Sequence, residues 1–241
     1  DSFRKTNDSY DCLVALSGGR DSCYSLHYLK KNLGLNVVAY SYDWGMLTDL
    51  ARRNQARMCG KLGIEHILVS ADINKKRGYI RKNVLAWLKE PNLGTIPLFM
   101  AGDKQYFYYA HKLKQRMKIN QTIMSENALE ITNFKTGFCN IAPQTNNGLA
   151  YFMNKSNKIK LATYYGKEYI KNPSYFNSSL FDTLFAYASY YVLPHNYINL
   201  FDYIQWDEKN INSTLINEYD WETANDTKNT WRIGDGTAPF Y

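Results

Sequence analysis

The sequence predicts an α/β fold, a parallel sheet with helices on both faces, followed by a mostly helical C-terminal region. Three observations predict it. Short apolar runs alternate with amphipathic stretches between Cys12 and Val69, as they do where buried parallel strands are joined by crossover helices. A glycine pair, Gly18-Gly19, stands between the first apolar run and the amphipathic stretch behind it, where a chain must turn sharply from strand into helix. From about Lys155 onward the alternation gives way to aromatic-rich segments with helical spacing,.

Each element has its own warrant. Cys12 to Leu16 is short and apolar, a buried strand,. Asp21 to Lys31 places Cys23, Leu26 and Leu29 at helical spacing, and Gly34 follows as a stop,. Val37 to Tyr42 is the second β-rich run,. Thr48 is a helix cap ahead of Leu50, Ala51, Met58 and Leu62, and Gly63 ends that helix,. His66 to Val69 supplies a third strand,. Lys76 to Lys89 and Asp103 to Met117 have helical patterns, and Thr122 to Met124 forms a fourth strand ending at Ser125-Glu126-Asn127,. Four parallel strands with right-handed crossovers leave their C-terminal ends on one edge, where ligands bind in such sheets. The stretch from Ser178 to Ile204 is read as helical and broken at Pro194. Its aromatic stripe is core and helix-packing surface, with a homo-oligomer interface as the minority reading.

Composition narrows the class. Hydrophobic residues make up 45% of the 241 and charged residues 21%, the balance of a packed chain rather than a disordered one,. A net charge of +7 calls for a polyanionic partner to be considered. The excess, however, sits in dispersed lysines such as Lys155, Lys158, Lys160, Lys167 and Lys171. They lack the aromatic interleaving or arginine clustering of a nucleic-acid surface, so nucleic acid is a disfavoured partner. The four cysteines, Cys12, Cys23, Cys59 and Cys139, form no C-x-x-C pair and no dense framework, which excludes a zinc site and a disulfide scaffold. No apolar run has membrane-spanning length and the polar start is no signal peptide, so the expected location is cytoplasmic, with no membrane partner.

The chemistry concentrates in Ser17-Gly18-Gly19-Arg20-Asp21-Ser22. Unpaired amides at the start of the following helix and its macrodipole favour an anion, and Ser17 and Ser22 add hydroxyl donors. Asp21 either caps the helix or holds Mg²⁺ that bridges phosphates. Arg20 either touches phosphate or faces solvent. Neither the Walker pattern nor G-x-G-x-x-G is present,, so a different phosphate loop is required. Asp43 in Tyr42-Asp43-Trp44-Gly45 and Glu126 with Asn127 end strands on the ligand edge,. Asp21, Asp43 and Glu126 supply the carboxylate number that Mg²⁺ wants beside phosphate. Near the end of the chain, Arg232-Ile233-Gly234-Asp235-Gly236-Thr237 offers a guanidinium clamp flanked by glycines,. The four histidines are scattered singly and argue no general-base triad.

Ser17-Gly18-Gly19-Arg20-Asp21-Ser22 after an apolar strand resembles the pyrophosphate loop of the N-type ATP pyrophosphatases, or PP-loop enzymes. The resemblance implies a Rossmann-like fold of the adenine nucleotide alpha hydrolase kind, with residues 1–150 as the ATP pyrophosphatase domain and 151–241 completing the substrate site. The segments Tyr10 to Gly45, Ser125 to Cys139 and Glu218 to Tyr241 are similar to N-acetyl sugar amidotransferases of bacterial surface-polysaccharide pathways. Where many members carry a C-x-x-C, this chain has Pro97 to Lys104. The likeness implies ATP and Mg²⁺ as cofactors, with Ser17 to Ser22 on the pyrophosphate and the Ser41 and Tyr42 backbone at adenine. Asp43 would share Mg²⁺ with Asp21; apart from the likeness, Lys104 can stabilise charge on the α-phosphate and Arg232 can clamp phosphate by their own chemistry. Glu126, Asn127, Gly234, Asp235, Gly236 and Thr237 would meet the substrate. It further implies a separate glutaminase subunit supplying ammonia and a cyclase-like channel subunit. The alternatives within the superfamily are tRNA sulfur or amine transfer and asparagine-synthetase-like amide formation, and beyond it a non-catalytic nucleotide binder.

Overall fold

The computed structural model describes residues 9–127, 138–139, 141, 154–193 and 196–225. Its centre is a five-stranded sheet, parallel throughout, in the order β3-β2-β1-β4-β5. The strands are β1 (Cys12–Ala15), β2 (Val37–Asp43), β3 (His66–Ser70), β4 (Gln121–Met124) and β5 (Tyr197–Asn199). Four had been expected. The fifth lies inside the aromatic stretch read as helical, and its three residues are too few to show a period of two,. Its pairing with β4, Thr122 opposite Tyr197 and Met124 opposite Asn199, is a tertiary decision that local pattern does not announce.

Between the strands run α1 (Arg20–His27), α2 (Asp49–Leu62) and α3 (Ile73–Trp87). Next come a short α4 (Ile96–Phe99) and α5 (Gln105–Met117), joined by a 3₁₀ turn over Ala101–Lys104. That turn moves the start of the expected Asp103 helix to Gln105. The C-terminal region contributes α6 (Lys155–Lys171), α7 (Leu180–Tyr191) and α8 (Glu208–Tyr219). Thr48 caps α2 as expected, its hydroxyl accepting from Ala51 N at 3.1 Å, and Gly63 ends that helix in the left-handed region at φ 61°,. Asp72 caps α3 in the same way through Lys75 N, which is why that helix begins before Lys76. The first helix is α-helical only to His27, and its last turn, Tyr28–Asn32, widens to a π-helix.

Alternate strand residues serve two cores. Cys12 and Val14 of β1, Val37 and Ala39 of β2 and Ile123 of β4 face α1, α2 and α8, where Leu26, Met58, Ile211 and Leu215 meet them. Leu13, Val38, Tyr40 and Tyr42 face the other way, toward Ala110, Tyr106 and Tyr109 of α5. Both sheet faces are therefore covered, which accounts for the apolar run of β1 and for the burial of every residue of β2,. Helix α8 brings the C-terminal region into the first of these cores. Truncating its fully buried Leu215 to Ala is expected to cost about 2–5 kcal/mol, read as a lower urea midpoint at an unchanged slope.

Candidate active site

Because β2 and β3 lie on one side of β1, and β4 and β5 on the other, the chain leaves β1 and β4 in diverging directions. A crevice opens beyond their C-terminal ends, the place where parallel α/β sheets hold ligands. Ser17 to Ser22 follow β1 and Ser125 to Asn127 follow β4, so the residues chosen from sequence converge on this switch point.

The loop is built from its own hydrogen bonds. Ser17 N donates to Ser22 Oγ at 3.1 Å, the two hydroxyls lie 2.9 Å apart, Gly19 N donates to Ser17 Oγ at 3.2 Å, and Ser22 Oγ donates to Gly19 O at 3.1 Å. Gly18 sits at φ +84°, and a Cβ there would overlap the Ala51 carbonyl oxygen and lie 2.8 Å from its carbon. Only glycine permits both the angle and the contact with α2. The Gly18 carbonyl accepts from Trp221 Nε1 at 3.2 Å and Asn54 Nδ2 at 3.5 Å, so the loop rests on α2 and on the chain after α8. Gly19 is the N-cap of α1 without a side-chain cap bond, which leaves the first-turn amides directed out of the helix end beside the exposed Ser17 hydroxyl,.

Asp21 neither caps the helix nor stands open to a cation. Its Oδ1 accepts from Arg20 Nε at 2.9 Å and Trp206 Nε1 at 3.0 Å, and its Oδ2 from Asn127 Nδ2 at 2.7 Å and Arg20 at 3.3 Å. Four donors satisfy the buried carboxylate,. Arg20 is itself buried. It pairs with Asp21 and, at 2.7 Å, with Glu208 at the start of α8, and its guanidinium lies 4.8 Å over the Trp206 ring. Of its two expected roles, solvent exposure is not what the fold gives it. Asn127 joins the end of β4 to the loop through Asp21.

Two of the three carboxylates expected to hold Mg²⁺, Asp21 and Asp43, have both oxygens engaged. Asp43 Oδ1 accepts from Gly45 N at 2.9 Å and Oδ2 is paired with Arg52 of α2. Glu126 meets Asn199 through its main-chain oxygen. Among the described residues no three acidic, histidine or cysteine side chains gather as a metal cluster. A cation entering at Asp21 would displace its N–H donors beside a guanidinium, so Asp21 and Asp43, paired as they are, do not fit that ion.

At β2, the β1 ladder ends at Ala15 opposite Tyr40, with Leu16 N donating to Tyr40 O. The Tyr42 main chain therefore lies past the end of that ladder. The Ser41 hydroxyl donates to Leu16 O and lies 2.8 Å from His66 Nε2. Since the hydroxyl proton is committed to Leu16, His66 is the donor. Tyr42 OH donates to Gln105 Oε1 at 2.9 Å, which also accepts from Lys76 at 2.8 Å, and Lys76 pairs with Asp182 at 2.6 Å. This buried network fixes the start of α5 to the sheet. Burial disfavours the Lys76 charge and Asp182 counters it, the net being a pKa below the ordinary lysine value,. Lys104 lies one residue before α5. It pairs with Asp103 at 3.2 Å and lies 5.0 Å from the Tyr190 ring centre. Burial opposes its charge, but Asp103 with Tyr190 and Tyr191 outweighs that and holds it firmly protonated. Arg232, Gly234, Asp235, Gly236 and Thr237 lie outside the described residues. All four cysteines are buried and free, and burial pushes Cys12 and Cys59 up to about 12 and Cys139 to about 11. Such thiols are inert at neutral pH.

Sequence reasoning did not single out Trp206, Asn54, Arg52 or the Lys76–Asp182–Gln105 network. Trp206, Asn54 and the Lys76 network join segments far apart in the chain, Arg52 reaches back nine residues to Asp43, and only Trp221 stood in a stretch already marked by resemblance.

No protein-family model matches the sequence, and no curated protein sequence matches it at a significant level. Parts of its backbone superpose on solved structures. NMN synthetase from Francisella tularensis is 20% identical over 64% of this chain and 60% of its own, at a TM-score of 0.37. NH3-dependent NAD synthetase from Campylobacter jejuni subsp. jejuni is 17% identical over 69% of each chain, also at 0.37. NAD+ synthetase from Burkholderia pseudomallei is 15% identical over 87% of this chain and 79% of its own, at 0.32. The chain thus spans three-fifths of the length of the Francisella enzyme. The functional reading rests on the chain's own loop and topology.

Gly18→Ala is expected to abolish nucleotide binding in isothermal titration and to lower the melting temperature, because the loop must lift off α2,. A second expectation concerns pH. Burial holds the His66 pKa below its ordinary value, and burial does the same to His27. The unfolded chain therefore takes up protons near pH 6.5 that the fold refuses, so stability is full above that value and declines as pH falls through it. Urea midpoints between about pH 7.5 and pH 5 should fall with acidification, less steeply in His66→Gln.

Proposed function

We propose that this chain is the ATP-dependent synthetase subunit of an amidotransferase that acts on an N-acetyl sugar. The single observation that carries the ATP part is the position of Ser17 to Ser22. A self-bonded Ser-Gly-Gly turn opens a helix at the C-terminal end of the central strand, with neither a Walker lysine nor dinucleotide spacing. The first-turn amides, in a turn held by the Ser17 hydroxyl, meet the pyrophosphate portion of ATP, and the base meets the Tyr42 main chain, which lies past the β1 ladder. The sugar amide oxygen attacks the α-phosphorus. Its bond to the bridging oxygen breaks, and pyrophosphate departs. Ammonia from a separate glutaminase then adds to the activated carbon and AMP leaves with the former amide oxygen, so that acetamide becomes acetamidine. Positioning and charge neutralisation carry such a step without a general-base triad. The sugar and the ammonia source follow from the resemblance of Tyr10 to Gly45 and Glu218 to Tyr241 to sugar amidotransferases.

Pyrophosphate release coupled to ATP, ammonium and an N-acetyl sugar is the direct test. Ser17→Ala should slow it by roughly a hundredfold, the size of effect seen when one preorganised group is lost, because Ser17 Oγ ties Gly19 N to Ser22 in the turn that presents the amides. Calorimetric ATP binding without release, across a panel of N-acetyl sugars with ammonium present, would sink the amidotransferase reading. Tight, salt-sensitive retardation of tRNA would replace it with nucleic-acid modification.

A further inference from the structure

The aromatic stripe expected to serve core and helix packing is only partly buried. Helix α7 turns Ala186 and Ser189 inward, and its one charged residue, Asp182, is engaged by Lys76 and by Gln105. On its other side Phe181, Leu184, Phe185, Ala188 and Val192 follow one another at i, i+3, i+4, i+7 and i+11, a single helical stripe,. Phe181 is 81% exposed, more than any other large apolar side chain among the described residues, and Val192 is 66% exposed. Apolar residues at this spacing are the face a helix ordinarily buries, and here that face is open.

The surface continues onto α6. Tyr187, late in α7, donates to the Lys158 carbonyl, early in α6, at 3.4 Å, and between the two helices lies an apolar groove of about 480 Å³. Tyr165, Tyr187 and Leu184 wall it, while Ala162 and Gly166 of α6 are too small to fill it. Ile170 and Phe176 line it too and stand 76% and 59% exposed at its rim. Ile159, Ala162, Gly166 and Ile170 repeat the helical spacing on α6, so the open stripes of both helices border one groove,.

We propose that a second copy of this chain covers this face, in a two-fold pairing that seats Phe181 of each copy in the α6–α7 groove of the other. A projecting ring and a recess occur on one surface, Phe181 standing one helical turn from the groove residue Leu184, as a self-complementary contact requires. The area fits as well. At roughly 200 Å² for a large side chain, the exposed parts of these apolar residues total on the order of 800 Å² per copy. A standard interface takes about 800 Å² from each partner, whereas the largest apolar patch of an ordinary monomer is about 300–600 Å². The α7 stripe carries no charge, so two chains of net charge +7 meet there without a like-charge pair. The pairing does not depend on the ATP reading.

Sedimentation velocity on the full chain tests it. The wild type is expected to pass from monomer to dimer as its concentration rises through the micromolar range. Raising salt from about 0.05 to 0.5 M should tighten the dimer, because it screens the net charge. Phe181→Glu places a carboxylate at an exposed position in the first turn of α7, where it suits the helix end,. It is expected to weaken the dimer at least tenfold with the circular dichroism spectrum unchanged. Gly166→Leu is the second variant. Nothing lies within 4 Å of where its Cβ would stand and leucine suits a helix, so it adds apolar surface while filling the groove. Unspecific association would grow with that change, whereas the proposed pairing should weaken at least tenfold. A wild type that stays monomeric at the highest concentration reached, or a dimer that either substitution leaves unchanged, overturns the proposal. So does a dimer that salt loosens, which would assign the contact to charged surfaces instead.

Discussion

The carboxylate of Asp21 is where the crevice is held together. It receives N–H groups from its neighbour Arg20, from Trp206 ahead of α8 and from Asn127 behind β4. The end of β4 and the approach to a C-terminal helix are thereby tied to the first turn of α1. Burying an arginine and a carboxylate carries a large desolvation cost, repaid only when geometry is good and the remaining lone pairs are met. Here each carboxylate oxygen has two donors, and the guanidinium is covered by an indole and reaches Glu208. Removing any one partner would leave a buried charge incompletely compensated, which makes the arrangement intolerant of small changes and hence a source of rigidity for the adjacent amides.

A second set of contacts supports the loop from the opposite side. Asn54 of α2 bonds Glu222 through both its amide groups, to the main-chain O at 2.9 Å and from the main-chain N at 2.9 Å, while Arg53 and Arg57 pair with the Glu222 carboxylate. Those ion pairs are partly exposed and contribute little individually. Their effect is geometric, since they fix Trp221 where its indole reaches the Gly18 carbonyl. The turn in the first strand's loop thus depends on residues two hundred positions later in the chain.

The sheet and its loop were legible because their signals are local. Cys12 to Leu16 and Val37 to Tyr42 are apolar on both faces, Thr48 and Gly63 bracket a helix, and Gly18-Gly19 can only turn. The ligand edge followed from parallel strands with right-handed crossovers, whereas the strand order that opens the crevice did not. What could not be read was pairing. Nothing near Arg20 indicates Glu208 or Trp206, so a charged residue in a phosphate loop is naturally given to phosphate or solvent. Asp43 and Asp21 look like free acids in sequence and are consumed by Arg52 and by indole, amide and guanidinium donors in the fold. β5 was hidden for the same reason, because three residues take their conformation from the strand beside them.

Two of the five tryptophans donate hydrogen bonds directly to this loop, Trp221 to Gly18 and Trp206 to Asp21. The loop therefore carries built-in optical reporters: any shift of its backbone changes the polarity around an indole, and the intrinsic emission of the unlabelled protein follows the state of the crevice.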